Sequence, residues 1–230
     1  MHMKKLFYIL LVVGLFLGFS SCEGDEPTTD RSQTENQENG GNDNSDDNGN
    51  NDSENPNPVG GDILVVYYSF TNNIHTIVTD LLTQIEADVV RIEPAEKGLD
   101  YAANNYALGS ALIAAIRENP DDASSYPAID PVEIQLENYN TVIVAAPLWW
   151  SNMAAPLQTF LFNYGSELAG KNIGLIVSSA SSGISGVETD ARRLVPNGNF
   201  LEPSLWIRSS QTSNCHAMTA EWLGNIGLEN

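Results

Sequence analysis

Cysteine is scarce in this chain. The 230 residues hold two, Cys22 and Cys215, too few for a disulfide framework, so the fold must rest on an ordinary apolar core. Basic residues are scarce as well, ten Lys and Arg against thirty Asp and Glu, for a net charge of −20. Without a basic stripe, nucleic acid and peripheral binding to anionic lipid are excluded as partners of the folded part. Long apolar runs are missing too. The longest at the start, Leu6 to Phe19, falls short of the roughly 18 residues that a membrane-spanning helix needs. Histidines are few and separated (His75 and His216 read as surface residues), and no pair of carboxylates falls in a recognisable catalytic arrangement. Metal and hydrolase chemistry therefore find no support. Cys215-His216 belongs to no triad and reads as a plain cysteine near the C-terminus.

What is present begins with an export pattern. Lys4 and Lys5 precede the apolar run, and Ser20, Ser21 and Cys22 follow it, the layout of a cleaved signal peptide. Phe19-Ser20-Ser21-Cys22 resembles the lipobox of bacterial lipoproteins, although Phe stands where Leu is usual. The resemblance implies that residues 1–21 are removed and that Cys22 becomes a lipidated N-terminus. It further implies a protein held to the cell envelope through that anchor alone, on its periplasmic or cell-surface face.

From Glu23 to Gly61 the chain has eleven acids, one Arg, nine Asn, six Gly and no aromatic residue. Such a composition buries too little apolar surface to offset its ordering entropy, so residues 22–61 read as a disordered acidic tether. Its span as a flexible coil is roughly 35 Å. Asn44-x-Asp46-x-Asn48-Gly49 touches a calcium-loop pattern, but the twelfth position is Asn55 rather than Glu. Residues 62–230 then suit a single domain, with nineteen acids against seven bases.

Within that domain strand-like and helix-like patterns alternate. Ile63 to Tyr68 is a short apolar, β-branched run, as a strand buried on both faces should be. Ile74, Ile77, Val78, Leu81, Leu82 and Ile85 then recur at helical spacing. Further strands are expected at Asp88 to Ile92, Thr141 to Ala146, Ile173 to Val177 and Phe200 to Ile207. Further helices are expected at Tyr101 to Arg117, Val187 to Leu194 and Ala217 to Ile226, with an amphipathic segment from Ala154 to Phe162. Strict alternation implies an α/β fold, a five-stranded parallel sheet between two helical layers. The order 2-1-3-4-5 places its ligand crevice beyond the carboxyl ends of the strands, at the switch point.

Three loops converge on that crevice. Ser69-Phe70-Thr71-Asn72-Asn73-Ile74 offers hydroxyls followed by the open amides of a helix start, a cradle for an anion without any cation. The same residues also serve as an ordinary helix cap. Pro147-Leu148-Trp149-Trp150-Ser151 sets two indoles at a strand end, where a planar ligand accounts for them better than core packing does. Ser178 to Gly186 is rich in small residues, which lets backbone amides approach a ligand or simply leaves a mobile surface loop.

Taken in order, the three loops resemble those of the flavodoxin-like family. Ile63 to Thr76 is similar to a strand followed by S-x-T-G-N-T, and the later loops are similar to a subgroup with P-x-W-W and T-S-x-G-S-G. The likeness runs from about Ile63 to the final helix. It implies a flavodoxin-like three-layer sandwich that binds FMN. Ser69, Phe70, Thr71, Asn72, Asn73 and Ile74 would wrap the phosphate. Pro147, Leu148, Trp149, Trp150 and Ser151 would line the isoalloxazine, and Ser178, Ser179, Ser182 and Gly183 would close its pyrimidine side.

Asn72 stands at the family's glycine, and Ile74 at its last threonine. Two functions stay open on these residues: FMN-dependent electron transfer or small-molecule reduction outside the cytoplasm, with the redox partner unidentified, or a cofactor-free binding module of the same shape. No glycine follows Trp150 before Pro156. In the family a glycine there lets a peptide turn over on reduction, and a residue with Cβ resists the positive φ by roughly 1–2 kcal/mol. That predicts a bias toward two-electron chemistry.

Overall fold

The computed structural model describes residues 62–229. The signal segment, Cys22 and the whole of the tether lie outside the described residues. The first strand, β1 (Ile63–Tyr67), is buried on both faces, with Leu64 and Val66 in one apolar cluster and Val65 and Tyr67 in another. This is the period-2 signature of a central parallel strand. α1 (Asn73–Leu81) follows, then β2 (Asp88–Arg91), α2 (Ala103–Glu118), β3 (Thr141–Trp149), β4 (Asn152–Met153) and α3 (Ala155–Tyr164). β5 (Asn172–Ser179), α4 (Ser185–Leu194), β6 (Asn199–Phe200), β7 (Leu205–Arg208) and α5 (Cys215–Ile226) complete the domain.

The sheet runs β2-β1-β3-β5, with β6 and β7 both beside β5 at its far edge. All these pairings are parallel, with Ile63 opposite Thr141 and Thr141 opposite Asn172. The order expected from the sequence is therefore present, with its fifth strand in two pieces. β6 pairs with Asn172 and Ile173, and β7 with Ile176 to Ser179. Pro203 lies in the gap and has no N–H to give a ladder, which explains why the run from Phe200 to Ile207 is not continuous.

α1 and α5 cover one face through Ile74, Ile77, Val78, Leu81, Trp222 and Leu223. The side chains of α2, α3 and α4, including Ile113, Phe160 and Val187, fill the other. Gly174 matters to the first layer, because a Cβ there would lie 3.1 Å from the Trp222 ring. Its absence lets the indole rest on the sheet.

Three elements differ from expectation. α3 is internal rather than amphipathic: Ala155 to Leu161 are all buried, because α2 and α4 flank it above the sheet. The start of α2 is a left-handed turn, with positive φ at Asn104, Asn105 and Tyr106. β3 continues past Ala146 through Pro147, Leu148 and Trp149, so part of the expected second loop is strand.

Candidate functional site

After β1 the chain turns at Ser69 to Asn72 into α1. Asn72 has φ 64°, the left-handed conformation that glycine occupies most cheaply and Asn tolerates best among residues with a Cβ. The glycine missing from the motif is thus replaced conformationally. Ser69, itself buried, accepts the His75 N–H through Oγ at 3.1 Å. The Asn73 side-chain amide donates to Thr71 Oγ1 at 3.2 Å, which braces the loop from within. A helix start leaves further N–H groups without intrahelical partners, and these form the anion-attracting end of the helix dipole. His75 is exposed but not isolated, since Nδ1 lies 2.8 Å from the Tyr67 hydroxyl.

The Trp-Trp segment is a hairpin. β3 and β4 pair antiparallel, Leu148 with Met153 and Trp149 with Asn152, leaving Trp150-Ser151 as a two-residue turn. Both turn residues have positive φ, 45° and 64°, the geometry of the primed turns that suit tight hairpins. The positive φ that a residue with a Cβ was expected to resist is therefore already adopted here, and the backbone supplies no bias toward two-electron chemistry. Instead the turn is pinned from outside. Arg117 donates to the Trp150 carbonyl and, at 2.7 Å, to Asn152 Oδ1. Buried Asp190 accepts from the Met153 N–H and from the Asn152 side-chain amide, each at 2.9 Å. Gly186 admits the turn against α4, for a Cβ there would lie 1.8 Å from the Ser151 carbonyl oxygen.

Ser178 and Ser179 end β5 and are buried, whereas Ala180 to Gly183 are exposed. Ser179 Oγ donates to the Ser182 carbonyl at 2.7 Å and accepts the Trp206 indole N–H at 2.9 Å. The third loop is thereby tied to the strand beside it.

These pieces enclose a cleft of about 320 Å³, within the usual range for small-molecule sites. Ser69, Phe70, Thr71, Asn73 and Ile74 form one wall, Pro147 to Trp150 another, and Ser178 and Ser179 a third. Four of the residues singled out in the sequence stand outside those walls. Asn72 shapes the turn with its backbone, Ser151 faces Gly186, the Ser182 carbonyl is taken up by Ser179, and Gly183 borders open space. Ala180 joins the walls from the third loop, and Tyr101, Tyr106, Gly109 and Ser209, which did not stand out in the sequence, complete the cleft. An aromatic residue in a helical pattern reads as core, and nothing in the spacing says that α2 overhangs the crevice.

The walls carry no charged side chain. Their polarity comes from hydroxyls and amides. Trp149 is buried and makes ring contacts with Tyr68, Phe70 and Tyr101 at 5.0–6.0 Å, so this indole belongs to the cleft's floor. Trp150 is 41% exposed and is the indole free to cover a planar ligand. Gly109 makes room for it, as a Cβ there would come within 2.9 Å of the Trp150 ring. Burial, and then the neighbouring Tyr101 and Glu93, push the Tyr68 phenol well above its ordinary range. Burial followed by Glu96 raises Tyr101. Among the described residues no cluster of three metal-ligating side chains occurs.

Comparison with known proteins decides the family. Residues 62–226 match the family model described as Flavodoxin. The chain belongs to the flavodoxin family. A candidate flavoprotein of Bacteroides eggerthii shares the fold at 22% identity and a TM-score of 0.56, over 75% of this chain and all of that one. A flavoprotein of Lactobacillus acidophilus, solved in complex with FMN, is 18% identical with a TM-score of 0.53, over 67% of this chain and 97% of that one. In a flavodoxin fold the crevice just described lies at the sheet's switch point, between the ends of β1 and β3.

Proposed function

We propose that this flavodoxin-family domain binds FMN and serves extracytoplasmic electron transfer or small-molecule reduction, held to the cell envelope by lipid on Cys22. One observation carries the cofactor reading. A helix start with a left-handed Asn72 and a half-exposed Trp150 face the same uncharged cleft, one suited to an anion and the other to a flat aromatic ring. FMN has both parts, and supplies transfer of one or two electrons when bound.

The residues take distinct tasks in this reading. The hydroxyls of Ser69 and Thr71, with the amides opening α1 at Asn73 and Ile74, hold the phosphate. Because no cation lines the cleft, the helix dipole supplies the attraction. Trp150 stacks on the ring system, while Phe70, Tyr101 and Trp149 exclude water beneath it. Ser178 and Ser179 meet the polar edge of the ring, and the Ser182 carbonyl holds the Ser179 hydroxyl in place. Pro147 and Leu148 fill the wall between. Ile74 brings no hydroxyl, and its side chain is part of the core under α1.

Two measurements test the two halves. Adding FMN to the purified protein and removing the excess by gel filtration should leave a yellow protein with a shifted flavin spectrum. A colourless protein would favour the cofactor-free binding module instead. Mass spectrometry of the membrane-extracted protein should find a diacyl or triacyl adduct on an N-terminal Cys22. Cleavage elsewhere, with no lipid, would remove the anchor.

A further inference from the structure

Arg117 stands in the last turn of α2, where a cation suits the carboxyl end of the helix dipole. It is exposed, yet its guanidinium is not spent on solvent. Nε donates to Asn152 Oδ1 at 2.7 Å, and a terminal nitrogen donates to the Trp150 carbonyl. Asn152 carries the connection onward, since its Nδ2 donates at 2.9 Å to the buried carboxylate of Asp190 on α4. An oxygen facing the cation and an NH₂ facing the carboxylate fix which way that carboxamide lies. Arg117, Asn152 and Asp190 thus form one chain across the β3–β4 hairpin, from α2 to α4.

The two ends of the chain hold different things. Asp190 also accepts the Met153 N–H, so it secures the strand pair. Arg117 reaches the turn itself, at the carbonyl of the residue whose half-exposed indole borders the cleft. That turn is poorly suited to hold its own position, because Trp150 and Ser151 both carry a Cβ and both have positive φ. The ring of Trp150 is received by the same helix at Gly109, where a Cβ would come within 2.9 Å of it. α2 therefore grips Trp150 twice, by its backbone and by its ring. Arg117 itself is not among the residues that line the cleft.

We infer that Arg117 is a positioning residue for the flavin ring. By holding the Trp150 carbonyl from outside the cleft, it sets the face that the indole offers for stacking, and it acts through Trp150 rather than on the ligand. The inference rests on the FMN reading. A bland surface arginine would do nothing to the ligand, and a distant cation would act on the phosphate by charge alone. The three roles separate in one set of titrations.

FMN is titrated by fluorescence quenching into the full-length wild type, Arg117→Met, Trp150→Ala and the double variant. Failure of the wild type to bind FMN overturns the functional reading and this inference with it. Arg117→Met keeps the apolar stem but has no donor, and should weaken FMN about three- to tenfold, the worth of one aromatic stack. The factor should be the same in about 0.01 M and about 1 M sodium chloride, because salt screens a long-range attraction and not a contact held through the backbone. In the Trp150→Ala background the same substitution should change FMN affinity by less than about twofold, since the indole it positions is gone. The ligand-free Arg117→Met protein should melt no more than about 2–4 °C below wild type. FMN affinity unmoved by Arg117→Met, a loss that vanishes in high salt, an equal loss in the Trp150→Ala background, or a larger fall in the melting temperature would overturn the positioning role while leaving the FMN reading intact.

Discussion

Asn72 shows how one residue can stand in for another by conformation rather than chemistry. A glycine is expected at this turn, and the sequence alone leaves open whether Asn can replace it. The φ of 64° gives the answer. Asn72→Gly should therefore leave both stability and flavin affinity near wild type, whereas Asn72→Val should cost about 1–2 kcal/mol in a urea melt. Gly109 makes the complementary point. Alanine there favours the helix by roughly 0.5–1 kcal/mol, yet its Cβ would press on the Trp150 ring. Gly109→Ala should keep or raise the melting temperature while weakening flavin binding severalfold. A loss of both together would mean that Trp150 matters to the fold rather than to the site.

The β3–β4 hairpin was the element least legible in the sequence. Primed two-residue turns usually announce themselves with Asn-Gly or Gly, and Trp150-Ser151 carries no such mark. Its geometry is imposed by partners remote in sequence: Arg117 from α2, Asp190 and Gly186 from α4. Local pattern cannot report an interaction that spans more than thirty residues. By contrast β1, α1 and β5 were readable because burial on both faces, or on one helical stripe, writes itself directly into apolar spacing. Ser69 and Thr71 could be placed at the cleft for a similar reason, since they lie next to a helix start. Asp190→Ala tests the pinning. It would leave the Met153 N–H and the Asn152 amide without their acceptor, and should destabilise the domain by about 3 kcal/mol. A change below about 0.5 kcal/mol would show that the hairpin holds its shape unaided.

At the scale of the whole molecule, the parallel sheet and its two helical layers were legible from alternation, and the strand order from right-handed crossovers and the count of five strands, while the split fifth strand and the overhanging α2 were not. Alternation counts elements but does not say how far each one reaches over the sheet. Stability toward alkali follows from the same packing. Burial, reinforced by its hydrogen bond to Asp88, pushes the Tyr139 phenol from 10.0 up to about 12. The unfolded chain releases that proton near the ordinary value and the native state does not. Stability is therefore full below pH 10 and falls as pH rises toward about 12. Urea melts at stepped pH should show this decline, and Tyr139→Phe should remove one proton's worth of its slope.

In the proposed site the first turn of α1 holds a phosphate while the hairpin covers a flavin ring. FMN and riboflavin share the ring and differ in the phosphate, so titrating both into the full-length protein by fluorescence quenching separates the two halves of the site. Losing two charge-assisted hydrogen bonds costs about 3–6 kcal/mol, so FMN should bind at least about a hundredfold more tightly than riboflavin. Equal affinities would contradict the phosphate cradle at Ser69 to Ile74, and binding of neither would contradict the flavin site as a whole.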